Sequence, residues 1–148
     1  MIDVRTAAKY LIQRYEQESG RTMDEMKLHK LLYFTQRESF VLLGKPMFLD
    51  KFEAWKYGPV MRCLRKADWE YQTQSVLPVD SEYIPVLEDT LRRYAAMDSW
   101  TLSNISHGET CWQKAKDKEV DSSPVEIETS DIEYDATVIK YRRFMCPK

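Results

Sequence analysis

Glycine is scarce in this chain: four residues in 148, none clustered. A phosphate-cradling loop needs glycines close together so that main-chain N–H groups can converge on the anion, so a P-loop is excluded. Cysteine is scarce as well. Cys63, Cys111 and Cys146 lie far apart, only two histidines are present, and neither CxxC nor HxxxH occurs. A zinc centre needs about four thiolate or imidazole ligands in regular spacing, so no metal and no cofactor is expected. An odd number of separated cysteines reads as free thiols in a reducing cytoplasm. No apolar run approaches the ~18 residues of a membrane span. The opening MIDVRTAAKYLIQRY carries charges every few residues, unlike a secretory leader. Nor is there an excess of one charge. A net −2 argues against a nucleic-acid footprint spread over the whole protein. What remains is a 43% hydrophobic chain of single-domain length, residues 1–148 as one domain.

Apolar spacing then organises the chain. Val4, Ala8, Leu11, Ile12 and Tyr15 recur at helical intervals and Gly20 follows as a stop, which predicts a helix over 3–19. Thr22 and Glu25 have capping-box spacing and open a helix that runs to Gly44. That helix carries Leu28, Leu31, Leu32, Tyr33, Phe34, Phe40, Val41 and Leu42, too many for one stripe, so it is expected at the centre of the fold. Phe48, Phe52, Ala54, Trp55 and Tyr57 favour extended structure and predict one short strand near 52–56. Gly58-Pro59 breaks it, and proline suits a first helical position, so a helix is expected from Pro59 with Val60, Leu64, Ala67 and Tyr71 facing inward.

Further helices follow. Ile84, Leu87, Leu91 and Tyr94 mark one. Ser99–Asn104 and Gly108–Lys118 read as two short helices joined by SHGE, with Ser106 and Glu109 again at capping-box spacing. Residues 124–128 read as extended or loop, a candidate partner for the strand near 52. Ser130 and Glu133 open a last helix, and Tyr134, Val138, Tyr141 and Met145 line one side of it. The expected fold is a mainly α, single-domain bundle of about seven helices with a small β element.

Candidate chemistry is thin. His107 and Cys111 are four apart, and Glu109 lies between them, but a cysteine nucleophile needs a base and usually an orienting group, and no known nucleophile signature surrounds Cys111. An ordinary buried cysteine is the better reading. The carboxylates between 117 and 135 read as a solvated face. The basic segment is richer. Lys51, Lys56, Arg62, Arg65 and Lys66 fall close together, with Trp55 and Tyr57 among them. Composition alone leaves three readings open: a core plug, a protein interface, or a surface that stacks bases.

Four blocks occur in order: MKLHKLLYFTQ (26–36), GKPMF (44–48), FEAWKYGPVM (52–61) and LSNISHGETCWQKA (102–115). Together they resemble the Panacea, or SocA-like, antitoxin domain, found also in phage-associated GepA-like proteins. Lys27, Leu28, Lys30, Leu31, Leu32 and Tyr33 match its K-L-x-K-L-L-Y block. Glu53, Ala54, Trp55, Tyr57, Gly58, Pro59 and Val60 match E-A-W-x-Y-G-P-V, and His107, Glu109, Trp112 and Ala115 match H-x-E-x-x-W-x-x-A. His29 stands where the family commonly has glutamine, and Cys111 where proline is frequent.

The resemblance implies a cytoplasmic bacterial, phage or prophage antitoxin, not an enzyme. It would neutralise a co-encoded protein toxin by direct binding, with no cofactor. It also implies that Lys27, Lys30, Tyr33, Glu53, Trp55, Gly58, Pro59, His107, Glu109 and Trp112 build a common scaffold, since the family serves diverse toxins. The last two blocks are expected to meet around Trp55 and Trp112. Partner contact then falls to Lys56, Tyr57 and Arg62, Lys56 first, because a lysine beside exposed aromatics has little structural reason to be there. Alternatives stay open: a nucleic-acid-binding regulator of a toxin operon, reading DNA with the helix from Pro59 through Arg62, Arg65 and Lys66; an adaptor that hands a bound partner to a protease; an enzyme using Glu109 with His107 or Cys111. An apolar helix face would serve a homo-oligomer as well as a toxin.

Overall fold

Every residue from Lys27 to Val41 is buried, on all sides of a single helix. That helix, α2 (Glu25–Leu43), is the axis of the fold, as its surplus of apolar positions requires. The computed structural model describes residues 1–65 and 78–145. Around α2 stand α1 (Val4–Ser19), α3 (Ile84–Tyr94), α4 (Ser99–His107), α5 (Thr110–Asp117) and α6 (Thr129–Met145). The described residues thus hold six α-helices, not seven. The closest partners of α2 are α6, α3 and α4.

The helix ends follow local chemistry. Asp3 and Asp98 cap α1 and α4 by accepting from main-chain N–H groups two or three residues on, at 2.8 Å each. Gly20 and Gly44 end α1 and α2 in the left-handed conformation that glycine adopts without a Cβ penalty. Three expected capping boxes are not used. Asp24, not Thr22, caps α2, with its carboxylate accepting from the Lys27 N–H at 2.7 Å; a full negative charge suits the positive end of the helix better than a hydroxyl. Ser106 lies inside the last turn of α4 and donates to the Ser103 carbonyl. The last helix begins at Thr129, ahead of Ser130.

The expected helix from Pro59 is absent from the described residues. Glu53–Trp55 (β1) turns through Lys56 and Tyr57 into Gly58–Val60 (β2), and a single 3-10 turn, Arg62–Leu64, follows. Pairing Trp55 with Gly58 makes this a two-residue hairpin. Lys56 and Tyr57 both keep negative φ, so Gly58 at φ +115 supplies the reversal. Pro59 is tolerated because β2 is an edge strand of the sheet β2-β1-β3. Ala67, Tyr71 and Lys66, the remainder of the expected helix, lie outside the described residues. The third strand, Val125–Glu126 (β3), pairs with β1 through Ala54 and Val125, where an extended partner was expected. The stretch between α2 and β1 is pinned by Gln36. Its amide donates to the Phe48 carbonyl at 2.9 Å and accepts from the Met47 N–H at 2.8 Å.

Candidate functional site

The two motif blocks meet at the hairpin. Trp112, on α5, donates its indole N–H to the main-chain carbonyl of Trp55 at 2.9 Å. From the other side Ser103, on α4, donates its hydroxyl to the Tyr57 carbonyl at 2.5 Å. Both carbonyls belong to a two-residue reversal whose polar groups cannot all be satisfied within the hairpin, so neighbouring helices supply the donors. His107 packs its ring on Trp112, with centroids 4.3 Å apart. It closes α4 and does not approach Cys111 through hydrogen bonding. The Cys111 thiol faces the Tyr33 hydroxyl at 3.1 Å in a fully buried setting. Burial pushes its pKa well up, which disfavours the thiolate a nucleophile needs.

The motif lysines are buried tethers. Lys27 donates to the Ala95 carbonyl at 2.9 Å and lies over the Tyr15 ring. Lys30 reaches the Pro59 carbonyl at 3.4 Å, and burial lowers its pKa to about 8. Its stem lies against Gly58. A Cβ at that glycine would stand 2.6 Å from Lys30 Cε and 2.5 Å from Ser106 Oγ. Gly58 is therefore fixed twice, by its φ and by close packing.

From α2 runs a buried charge network that the sequence did not announce. The guanidinium of Arg37, on α2, meets the carboxylate of Glu109 and the hydroxyl of Tyr94. Next to it Glu38, fully buried, receives both terminal nitrogens of Arg143 at 2.7 Å each. Two guanidiniums thus face the carboxylates of Glu109 and Glu38, with Asp89 of α3 close enough to act on Glu38 and Arg143 as well. Glu109 stands at the N-cap position of α5 without capping it, because its side chain serves Arg37. The network links α2 to α3, to the α4–α5 junction and to α6. Cys111 N–H donates to buried Asp135 on α6 at 2.8 Å, a second tie between the same helices.

What this frame holds outward is aromatic and cationic. Tyr57, 43% exposed, meets Trp100, 59% exposed, edge to face at 5.3 Å and 89°. Lys56 places its ammonium 5.4 Å from the Tyr57 ring, and among the described residues it makes no ion pair. Arg65 lies 4.7 Å over the Trp55 ring. Arg62 is exposed and pairs with Glu53 at 3.1 Å, and Glu53 also accepts the Trp55 indole N–H at 2.9 Å. Of the three expected contact residues, Lys56 and Tyr57 form the tip of the hairpin, while Arg62 lies at its other end, paired with Glu53. Trp100 was missed in the sequence. Its only signal is a large aromatic just after the capping Asp98, at the exposed start of a helix.

No group of His, Cys, Asp and Glu suited to a metal occurs among the described residues, and none of the described helices is long and apolar enough to cross a membrane. A family model described as "Antitoxin SocA-like, Panacea domain" matches residues 28–113, more than half of the chain. No curated protein and no solved structure matches it.

Proposed function

The chain belongs to the family of SocA-like antitoxins with a Panacea domain, and from that premise we propose that it neutralises a toxin encoded beside it by direct protein–protein binding, through the hairpin tip and Trp100. The observation that carries this is the exposed Tyr57–Trp100 pair, flanked by Lys56, on a hairpin whose carbonyls are held by Ser103 and Trp112. Tyr, Trp and Arg are the residues that most often dominate binding energy, and they do so best when already held in place, because little side-chain entropy is then lost. Lys56, beside the two aromatics, favours a partner segment that combines an apolar side chain with a carboxylate.

Such a protein would work in the bacterial cytoplasm, whether the gene is chromosomal or carried by a phage. The test is co-expression. The neighbouring open reading frame, expressed alone in a bacterial host, is expected to arrest growth. Expressed with this chain, it is expected to be harmless and to co-purify with it. A harmless neighbour that forms no complex would remove the proposal.

A further inference from the structure

The last helix turns its aromatic side away from the protein. Inward go Ile132, Asp135, Ala136 and, in part, Ile139 and Arg143. Outward go Tyr134, Tyr141, Phe144 and Met145, each 60–70% exposed. Tyr134, Val138, Tyr141 and Met145 follow one another at alternating intervals of four and three, the spacing of a coiled-coil seam. Leu42, also exposed, stands one turn beyond Glu38, the residue on which the end of α6 is clamped.

We infer that this face is a homodimer interface, in which α6 packs antiparallel against α6 of a second copy. Charge is the first argument. Asp131 and Glu133 lie in the first half of the helix, Lys140 and Arg142 in the second. A parallel partner would set like charges level with each other. An antiparallel partner with Tyr134 opposite Tyr141 of the second copy brings Val138 onto the two-fold axis. In that register the acidic first half of each helix, with Glu133, runs along the basic second half of the other, with Lys140 and Arg142, while Asp131 is paired with Lys114 of its own chain at 2.9 Å. The same patch is complementary to itself, as an isologous interface must be.

Area is the second argument. The four large side chains expose on the order of 500 Å² per copy, at the upper end of what a monomer leaves as one apolar patch. With Val138 and the stems of Lys140 and Arg142, two copies reach roughly 1,200 Å², where stable interfaces begin. The hairpin tip is a separate surface, so this inference stands or falls apart from the toxin-binding reading.

Sedimentation velocity of the full chain over a range of concentrations tests it, with circular dichroism to confirm that each variant is folded. The wild type is expected to move from 17.6 kDa towards twice that mass as concentration rises. Tyr141→Glu is expected to weaken association at least about tenfold. Glu133→Lys and Lys140→Glu are each expected to weaken it, and the double variant to restore it, because reversing both charges recreates the pair in an antiparallel dimer. Tyr57→Ala is expected to leave it unchanged. A wild type that stays at 17.6 kDa throughout would overturn the inference, as would a dimer indifferent to Tyr141→Glu. A monomer whose complex with the toxin is lost on Tyr141→Glu would also overturn it, and would give this face to the toxin.

Discussion

The Trp112 indole donates its one hydrogen bond to the carbonyl of Trp55, 57 residues earlier in the chain. This bond joins the C-terminal motif block to the hairpin exactly where β1 ends and the exposed tip begins, and the Ser103 hydroxyl holds the next carbonyl but one. The tip is therefore not a free loop. Its position is set by α4 and α5, whose junction residue Glu109 is held in turn by Arg37 of α2.

Trp112→Phe keeps the ring and removes the donor. It is expected to cost about 1–2 kcal/mol, the price of a part-buried carbonyl left without a partner. Trp55→Phe leaves that bond intact, since the acceptor is main chain. It loses the part-buried hydrogen bond to Glu53, which keeps Arg62, and weakens the contact of Arg65 with the ring, so it is expected to cost less, about 1 kcal/mol or below. Urea midpoints of the two variants check the order.

Gly58→Ala is expected to be among the most damaging single methyl additions. The new Cβ would meet Ser106 Oγ and Lys30 Cε well inside contact distance, in a backbone conformation that L residues rarely adopt. A loss of about 3 kcal/mol or more is expected. Gly20→Ala, where nothing lies within 4 Å, is expected to cost only the φ strain, about 1 kcal/mol. Thermal or urea unfolding of the pair separates crowding from strain.

Glu109→Ala removes the carboxylate that Arg37 hydrogen-bonds and leaves Glu38, at 3.6 Å and shared with Arg143, as its remaining counter-charge, an expected loss of about 3 kcal/mol. Replacing both members, Arg37→Met with Glu109→Leu, is expected to be milder than Glu109→Ala alone, because no uncompensated charge stays buried. If the double variant is the less stable, the network contributes net stabilisation beyond mere neutrality. A double-mutant cycle gives the answer directly.

His29 links stability to pH. Its Nδ1 accepts the Met61 N–H at 3.0 Å, so the fold needs the neutral ring. Burial, and then the charges of Lys30 and Arg65, lower its pKa to about 3. The Glu25 carboxylate, 3.9 Å from Nε2, is too far for a hydrogen bond and forms no ion pair with a neutral imidazole. Between the unfolded value near 6.5 and the folded value, the unfolded chain binds the extra proton. Stability is therefore complete above 6.5 and falls as pH drops below it, by about 2 kcal/mol from pH 7 to pH 5. His29→Gln keeps an acceptor for Met61 and removes the titration, so its urea midpoint is expected to be nearly flat over the same interval.

Much of the frame was legible because it rests on apolar spacing and on residues with narrow roles. The central α2, the strand at 53–55 and its partner near 125 all follow from such patterns. So did the meeting of Trp55 with Trp112, which came from shared motifs. The hairpin was not legible. Gly58-Pro59 suits a helix start as well as an edge strand, and only the packing of Lys30 and Ser106 on Gly58 decides between them. Nor was the charge network. Arg37, Glu38 and Arg143 look like ordinary surface residues in a chain with 31% charged residues, and their burial depends on contacts across up to 105 positions. The outward face of α6 was visible as a stripe, but a stripe does not say which way it faces.

The most direct measurement is the affinity of the toxin encoded beside this gene for the wild type and for Tyr57→Ala, Trp100→Ala and Lys56→Glu, by titration calorimetry on folded protein. Binding through the hairpin tip predicts at least about a tenfold loss for each aromatic variant and a clear loss for the charge reversal, with unfolding midpoints unchanged. Equal affinity for all four proteins would contradict it, and would place the toxin on another face.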